Sequence, residues 1–399
     1  MSSQAQIPST AHADSRRFAV RLAVFYFALF GMLGTYLPFF TVWLKSIAID
    51  ATWIGIITAV PAVARFTVLP VVTSLAERRQ ALRNAIVLTA FATALGMAVV
   101  GSQRGAFAVF LAFAATCCLW TPMTPLTDAY ALRGVARHNL NYGPLRLWGS
   151  AAFVAGALGC GAMLDRIAPE QLIWIIAGVA GLGALASLGL QPIDSRVKSD
   201  APPPGSALLR DGGFLAIIFA SALIQSSHAA YYIFASITWK AAGLDGLAIA
   251  GLWSLGVLAE IVLFAVSPRF RLPYAVLVAI GALSAVIRWI ITAQEPPIAI
   301  LAVVQLAHGL TFGLTQVGTM GLMVHRVPGQ MMARGQGYLA ACSGIIASST
   351  SVLCGLVYAS YGQGIYYLMA AMAAAGGLTV WAARNRLARP QGTASGVAS

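Results

Sequence analysis

A single carboxylate, Glu260, lies in the middle of a long apolar stretch of the sequence, between Ile249 and Phe264. An ionisable residue inside an apolar helix is costly and usually marks a functional site. A carboxylate in a low-dielectric site favours its protonated form, so Glu260 could bind and release protons near neutral pH. The alternative is a structural Glu260 locked to an arginine. Arg288 is the natural partner, because an arginine stays charged in any environment, and it could equally hold an anionic substrate through a bidentate contact.

Two further charged residues, Arg65 and Asp128, also lie in apolar stretches. Asp128 could be the counter-ion of Arg65, or it could pair with Arg146 at the start of the next stretch. Arg65 could bind substrate or serve structure and gating. Asp128 is another candidate protonatable group, closer to water than Glu260 and therefore less perturbed.

Polar side chains recur every three or four residues in two other stretches, which places each set on one helix face. One set is Gln225, His228 and Tyr232; the other is Gln305, His308, Thr311 or Phe312, and Thr315 or Gln316. A lone buried histidine is more often structural than functional. Two histidines on such polar faces leave both roles open. The functional role would be a proton relay, which an imidazole can perform near neutral pH. Tyr26, Tyr36 and Trp120 are aromatic candidates for packing a substrate ring.

The sequence contains no enzyme constellation. It has no phosphate-binding glycine loop, no metal-ligand spacing and no nucleophile triad. Its five cysteines all fall in apolar runs, as small buried hydrophobes do. We therefore expect no metal and no cofactor, and energy coupling through an ion gradient.

The composition requires a membrane to surround these residues. Hydrophobic residues make up 59% of the 399 residues and charged residues only 9%, whereas a soluble domain carries about a quarter charged residues. The mean hydropathy is +0.80. The net charge of +13 does not indicate nucleic acid, because the basic residues are spread singly among loops. We predict an all-α integral membrane protein.

Twelve apolar runs are long enough to span a bilayer, which takes about 20 residues. They are residues 18–44, 53–75, 85–101, 106–131, 147–164, 171–190, 214–239, 247–266, 274–292, 298–324, 337–359 and 364–383. The polar, proline-rich stretch 191–213 predicts a linker between an N-terminal half, 18–190, and a C-terminal half, 214–383. Residues 1–17 and 384–399 form the tails. Lys45, Asp50 and Ile54 recur as Lys240, Asp245 and Ile249, which indicates duplication of a half-protein.

Most of the 25 basic residues fall in alternate loops. By the positive-inside rule these loops and both termini are cytoplasmic, which predicts a multi-pass protein of the cell inner membrane. Two parallel six-helix repeats are the plan of the major facilitator superfamily, whose halves rock about a midplane site.

Four stretches carry a closer resemblance. They are 34–45 (GTYLPFFTVWLK), 142–153 (YGPLRLWGSAAF), Arg288-Trp289 and 306–317 (LAHGLTFGLTQV). They resemble the phenylpropionate permease group of this superfamily, which is similar to the lactose permease family of proton symporters. The resemblance implies substrate contact by Asp128 and Arg146, and proton coupling by Glu260, Arg288 and His308.

Two departures from the family pattern matter. The family has a protonatable glutamate one turn after its helix 10 histidine, where this chain has Thr311, which leaves coupling to Glu260 or His308. The superfamily loop between helices 2 and 3, Gly-x-x-x-Asp-Arg-x-Gly-Arg-Arg, here reads TSLAERRQAL over 73–82. Glu77 and Arg78 keep its charge pair and are the expected gating residues. A second histidine is often found in the family at Gln316, so a changed substrate preference is expected.

These features predict a proton-coupled symporter that imports a small organic solute, such as an aromatic carboxylate, as a monomer in the lipid bilayer. Arg288 or Arg65 would bind the carboxylate. The alternatives are a sugar or nucleoside symporter, an efflux antiporter and a non-transporting membrane sensor.

Overall fold

The computed structural model describes residues 9–79, 81–192 and 205–387. Over these residues the chain is helical, without a β-strand. The α-helices are α1 Ser9–Ser46, α2 Ala51–Arg78, α3 Leu82–Ser102, α4 Ala106–Trp120, α5 Met123–His138, α6 Tyr142–Leu164, α7 Leu172–Leu188, α8 Gly212–Ser226, α9 Ala229–Ala241, α10 Gly246–Val266, α11 Tyr274–Ala293, α12 Ile298–Leu306, α13 Thr315–Arg326, α14 Met332–Tyr361 and α15 Ile365–Leu387. The all-α prediction is confirmed. Residues 1–8 and 388–399 of the predicted tails, and 193–204 of the predicted linker, lie outside the described residues.

Eleven segments of the described chain are long and apolar enough to cross a membrane. The last, Gly329–Leu387, contains both α14 and α15. Between them Gly362 has a positive φ of 51°, which glycine adopts readily, and α14 ends there. With this segment divided, the spans are consistent with the twelve predicted.

Three of the predicted spans are interrupted. α4 gives way to α5 at Thr121 and Pro122, where proline has no N–H to continue the ladder. α8 and α9 are separated at Ser227 and His228. A π-helical turn, Gly309–Leu314, joins the α12 region to α13, and such turns occur frequently at functional sites. The last two interruptions carry His228 and Thr311.

The described residues cluster into two compact units. The first takes those within Met1–Trp43, Val68–Lys198 and Asp245–Ala250. The second takes those within Leu44–Thr67, Ser199–Leu244 and Gly251–Ser399. The division into six-helix halves at the linker stays a prediction.

Close backbone contact joins α1 to α6 in the first unit. A Cβ added at Gly34 would overlap the carbonyl oxygen of Phe153 and lie 2.9 Å from its Cα. A Cβ at Gly156 would overlap the carbonyl oxygen of Gly31. Small residues at membrane helix contacts allow this approach, and dispersion between the two backbones then stabilises the pair.

Gly34→Ala is expected to lower the thermal unfolding midpoint of the detergent-solubilised protein. The added methyl group meets backbone that can move only with the whole helix, and overpacking of this kind costs about 1–3 kcal/mol. Gly159→Ala on α6 is the matched control, because nothing lies within 4 Å of its added Cβ. Equal midpoints for the two variants would contradict the tight contact.

An ion pair joins three helix ends in the second unit. Nε and Nη2 of Arg326, at the end of α13, donate to Oδ2 and Oδ1 of Asp211 at 2.7 and 2.6 Å. Asp211 precedes α8 and also accepts from the Gly213 N–H at 2.9 Å, while Nη1 of Arg326 donates to the Arg386 carbonyl in α15 at 2.6 Å. Burial raises the pKa of Asp211, but hydrogen bonds from Arg326 and Gly213 outweigh it, so its pKa lies below the ordinary value.

Asp211→Asn is expected to lower the unfolding midpoint at pH 7 and to leave it unchanged at strongly acidic pH. A carboxyl group whose pKa is depressed by folding stabilises the protein above its unfolded pKa, and that stabilisation is lost as pH falls through the folded value. Thermal unfolding across the acid range measures the difference between wild type and variant. Glu295→Gln, at an exposed carboxylate, is the control. A wild-type-to-Asn difference that does not depend on pH would refute the assignment.

Candidate functional site

Arg288 is the centre of a buried hydrogen-bond network in the second unit, with 2% of its surface exposed. Its Nη1 lies 3.0 Å from Nδ1 of His308 and donates to Oγ1 of Thr311 at 3.1 Å. Its Nη2 donates to Oε1 of Gln305 at 3.0 Å. Both terminal nitrogens of Arg288 are therefore engaged by the protein itself, and only the buried Nε has no hydrogen-bond partner in the described chain.

His308 connects this arginine to Glu260. Its Nε2 lies 3.7 Å from Oε2 of Glu260, whose side chain is 24% exposed. A guanidinium can only donate, so Nδ1 of His308 is the acceptor and the hydrogen of the neutral ring is on Nε2, facing the carboxylate. The structure thus brings together Glu260, Arg288 and His308, three of the four residues predicted for proton coupling; Asp128 belongs to the first unit.

His228 enters the same network from the break between α8 and α9. Its Nε2 lies 3.0 Å from Oγ1 of Thr311, and its Nδ1 lies 3.2 Å from the carbonyl oxygens of both Ile224 and Gln225. The residue is fully buried. The prediction placed His228 in the substrate site, but both of its ring nitrogens have protein partners.

Aromatic rings enclose the network. The guanidinium carbon of Arg288 lies 4.9 and 4.7 Å from the ring centroids of Tyr231 and Trp289. Tyr232 stacks near His228 at 6.0 Å. Arg65 interacts electrostatically with Tyr232, and its side chain makes no hydrogen bond or ion pair to any described residue. Rings around a buried cation stabilise it through cation–π attraction.

The remaining residues of the predicted polar faces, Gln225, Thr315 and Gln316, form hydrogen bonds that do not involve Arg288. Thr315 is buried, and its hydroxyl donates to the Thr311 carbonyl at 2.8 Å. Nε2 of Gln225 lies 3.4 Å from Oε1 of Gln316. Gln316 also lines an open groove of about 370 Å³ with Phe264 and neighbouring residues. Gln225 and Gln316 are both partly exposed, whereas Thr315 is buried.

Asp128 is the centre of a second polar cluster, in the first unit. Its Oδ1 accepts hydrogen bonds from the hydroxyls of Tyr26 at 2.6 Å and Tyr142 at 2.9 Å. Nε of Arg146 lies 3.8 Å from the same oxygen, and the side chains of Arg146 and Asp128 are both 33% exposed. Of the two partners considered for Asp128, the structure shows Arg146.

The guanidinium of Arg146 lies over an aromatic ring, and its terminal nitrogens form no hydrogen bond in the described chain. Its guanidinium carbon lies 4.0 Å from the ring centroid of Phe30 and 5.6 Å from that of Tyr26. Nη1 and Nη2 form no hydrogen bond with any described residue. A stacked guanidinium with free terminal nitrogens can bind a carboxylate in a bidentate manner.

Tyr36 and Trp120 pack against each other in the first unit. Their ring centroids are 4.6 Å apart with an edge-to-face angle of 79°, and Phe40 lies 4.9 Å from Tyr36. Tyr36 is 7% exposed. The pair therefore belongs to an aromatic core, and Trp120 is the member with accessible surface.

The gating prediction falls on Glu77 and Arg78, whose side chains lie outside the described residues. Three residues of the site escaped the sequence reasoning. Tyr142 lies one helical turn before Arg146 and Phe30 one turn after Tyr26, so helical spacing could have found both. Tyr231 gave no such signal, because periodicity places only one of two adjacent tyrosines on a face.

Similarity to known proteins extends over most of the chain. The model of the MFS_1 like family matches residues 19–369. A protein named probable 3-phenylpropionic acid transporter from Escherichia coli (strain K12) is 31% identical over 360 residues, which cover 88% of this chain and 94% of that protein. Maltose permease from Geobacillus stearothermophilus is 25% identical over 308 residues, 73% of this chain and 75% of the permease.

Among solved structures, a mutant of the nucleoside transporter NupG has a TM-score of 0.82 to this chain at 15% identity. The match covers 92% of this chain and 99% of the NupG chain. It shows the fold, which is that of the major facilitator transporters.

Proposed function

Since the chain belongs to the MFS_1 like family of membrane transporters, we propose that it is a proton-coupled symporter that imports an aromatic carboxylate such as 3-phenylpropionate. The relative from Escherichia coli supports this choice of substrate. The orientation follows from the basic loops, so the protein lies in the inner membrane with cytoplasmic termini. A single chain works by alternating access on the proton gradient, without a cofactor and without enzymatic activity.

The observation that carries the coupling proposal is the link from Glu260 through His308 to Arg288. A partly exposed carboxylate that contacts a histidine, which in turn contacts a buried arginine, can exchange protons with water while its charge acts on the buried network. A series of adjacent ionisable side chains inside membrane helices is typical of proton pathways.

Arg146 carries the substrate proposal. Arg288, one of the two arginines predicted to bind the carboxylate, has both terminal nitrogens engaged by the protein, whereas those of Arg146 form no bond with the described residues. Arg146 would bind the carboxylate, with Phe30 and Tyr26 offering an aromatic surface beside it. Arg65 remains a second candidate, because its side chain too makes no hydrogen bond or ion pair to a described residue.

Uptake of labelled 3-phenylpropionate into proteoliposomes tests the proposal. With the outside more acidic than the lumen, we expect the acid to accumulate above its external concentration. A protonophore should reduce accumulation to equilibration, because it removes the driving gradient. Flux that is independent of the pH gradient would refute proton coupling.

A sugar or nucleoside symporter is the second candidate, favoured by the NupG-like fold and the Asp128–Arg146 pair. Competition of labelled 3-phenylpropionate by maltose, by uridine and by unlabelled acid separates the classes. Competition by a neutral ligand alone would favour this candidate. Accumulation only when the lumen is the more acidic side would instead indicate an efflux antiporter.

A further inference from the structure

The break between α8 and α9 determines which ring nitrogen of His228 carries a hydrogen. The backbone N–H of His228 bonds to the Gln225 carbonyl at 3.2 Å, so the Ile224 carbonyl loses its helical donor. That oxygen accepts instead from the Ser227 hydroxyl at 2.6 Å and faces Nδ1 of His228 at 3.2 Å. A carbonyl can only accept, so Nδ1 is the donor and Nε2 of the neutral ring is an acceptor.

Thr311 transmits this direction. Its single hydroxyl hydrogen points to Nε2 of His228 at 3.0 Å, because the other acceptor in reach, the His308 carbonyl, is 3.4 Å away. The lone pairs of Thr311 are then free to accept from Nη1 of Arg288 at 3.1 Å. Nη1 donates its second hydrogen to Nδ1 of His308, and the two nitrogens are 3.0 Å apart.

The donors therefore run outward from Arg288 in two directions. One series leads through Thr311 and His228 to the Ile224 carbonyl, and the other leads to His308, whose Nε2–H faces Glu260. A protonated His228 would leave Thr311 with donors on both sides, and a protonated His308 would aim an N–H at a guanidinium. Both rings are neutral in this arrangement, and the remaining hydrogen of His308, on Nε2, faces Glu260.

We propose that His228 and Thr311 are positioning residues of the proton site, which act through Arg288 to present the Nε2–H of His308 to Glu260. This inference rests on the proposed coupling role of Glu260. It assigns His228 away from substrate contact and gives a role to the threonine that stands where the family has a glutamate. The other charged or titratable groups that act on Arg288 or Tyr232 in the described chain include Arg65, Tyr231 and Tyr366.

The hydrogen positions can be measured without any substrate. Nitrogen-15 NMR of histidine-labelled protein in lipid bilayers distinguishes the two neutral tautomers, and His228→Asn and His308→Asn variants assign the signals. We expect His228 with its hydrogen on Nδ1 and His308 with its hydrogen on Nε2. His308 with its hydrogen on Nδ1 would overturn the proposal.

Thr311→Val removes the hydroxyl and keeps the side-chain shape. The substitution leaves one hydrogen of Arg288 Nη1 without an acceptor, so the guanidinium turns. The ring of His308 then loses the donor that fixes its tautomer and orientation. We expect at least half of the His308 Nε2–H signal to be lost, while His228 keeps its Nδ1–H because the carbonyls remain. Thr311→Ser should restore the wild-type spectrum. Thr319→Val is the matched control, since Thr319 is buried on α13 and its hydroxyl has no partner among described residues. An unchanged His308 signal in Thr311→Val would overturn the proposal.

The pH profile of uptake is the second readout. An N–H directed at Glu260 favours the ionised form of the carboxylate. When this N–H is lost, Glu260 retains its proton up to a higher pH. In Thr311→Val we expect the pH of half-maximal 3-phenylpropionate uptake to rise by about one unit, because the N–H of His308, whose nitrogen lies 3.7 Å from the carboxylate oxygen, no longer points at Glu260. Thr311→Ser should keep the wild-type profile, and a general loss of activity without a shift would count against positioning. If wild-type protein does not transport 3-phenylpropionate, the proposed function fails, while the NMR result still decides the hydrogen-bond direction.

Discussion

Glu260→Gln is expected to abolish concentrative uptake of 3-phenylpropionate while substrate exchange persists. Glutamine resembles the protonated carboxyl group in shape and hydrogen bonding but cannot release a proton. The substrate should still bind, yet its translocation is no longer linked to the gradient, because coupling requires a state-dependent difference in proton affinity. The accumulation ratio should therefore fall to about one.

Two assays on the same vesicles separate these outcomes. Accumulation is measured under an outside-acid gradient, and exchange is measured between equal internal and external substrate at uniform pH. Glu260→Asp is the control, because it keeps an ionisable carboxyl group at this position and should retain accumulation. Normal accumulation by Glu260→Gln would remove Glu260 from the coupling mechanism. Loss of exchange as well would assign the residue to substrate binding.

Most residues of the hydrogen-bond network around Arg288 could be predicted from the sequence through two regularities. Charges are rare in apolar helices, so Glu260 and Arg288 stood out individually. Helical periodicity then placed Gln305 with His308, and His228 with Tyr232. These signals identify which face a residue occupies, but they do not reveal whether its polar atoms are free.

The connections within the site depend on departures from regular helix. The π-helical turn and the break at His228 are stabilised by tertiary contacts, and periodicity assumes that neither exists. The sequence predicts His228 in the substrate site and Arg288 in proton coupling, with Arg288 or Arg65 to bind the carboxylate, and these roles stay predictions. What periodicity does not show is that the polar side-chain atoms of His228 and Arg288, except Nε of Arg288, form hydrogen bonds within the protein. In the first unit Asp128 and Arg146 lie within the α-helices α5 and α6, and the structure shows one of the two partners that the sequence left open for Asp128.

Arg146→Lys is expected to weaken binding of 3-phenylpropionate by about 30-fold. Lysine keeps the positive charge but loses the planar edge that binds a carboxylate through two parallel bonds, and it loses the flat contact with Phe30. A charge-assisted bond contributes about 1.5–3 kcal/mol, and 1.4 kcal/mol corresponds to a factor of ten in Kd. Equilibrium binding of the labelled acid to purified protein measures the change. Arg166→Lys, at an exposed arginine outside the cluster, is the control.

A neutral analogue shows whether Arg146 acts on the carboxylate itself. 3-Phenylpropionamide keeps the ring and the chain but has no charge, so wild-type protein should bind the acid more tightly than the amide. If Arg146 contacts the carboxylate, Arg146→Lys weakens binding of the acid and leaves binding of the amide nearly unchanged. The preference of the protein for the acid over the amide then becomes smaller. If the arginine only holds Asp128, Tyr26 and Tyr142 in place, binding of both ligands weakens by the same factor and the preference for the acid remains. In that case the carboxylate is bound elsewhere, and Arg65 is the next residue to substitute, because its side chain makes no hydrogen bond or ion pair to a described residue, whereas both terminal nitrogens of Arg288 donate to protein atoms.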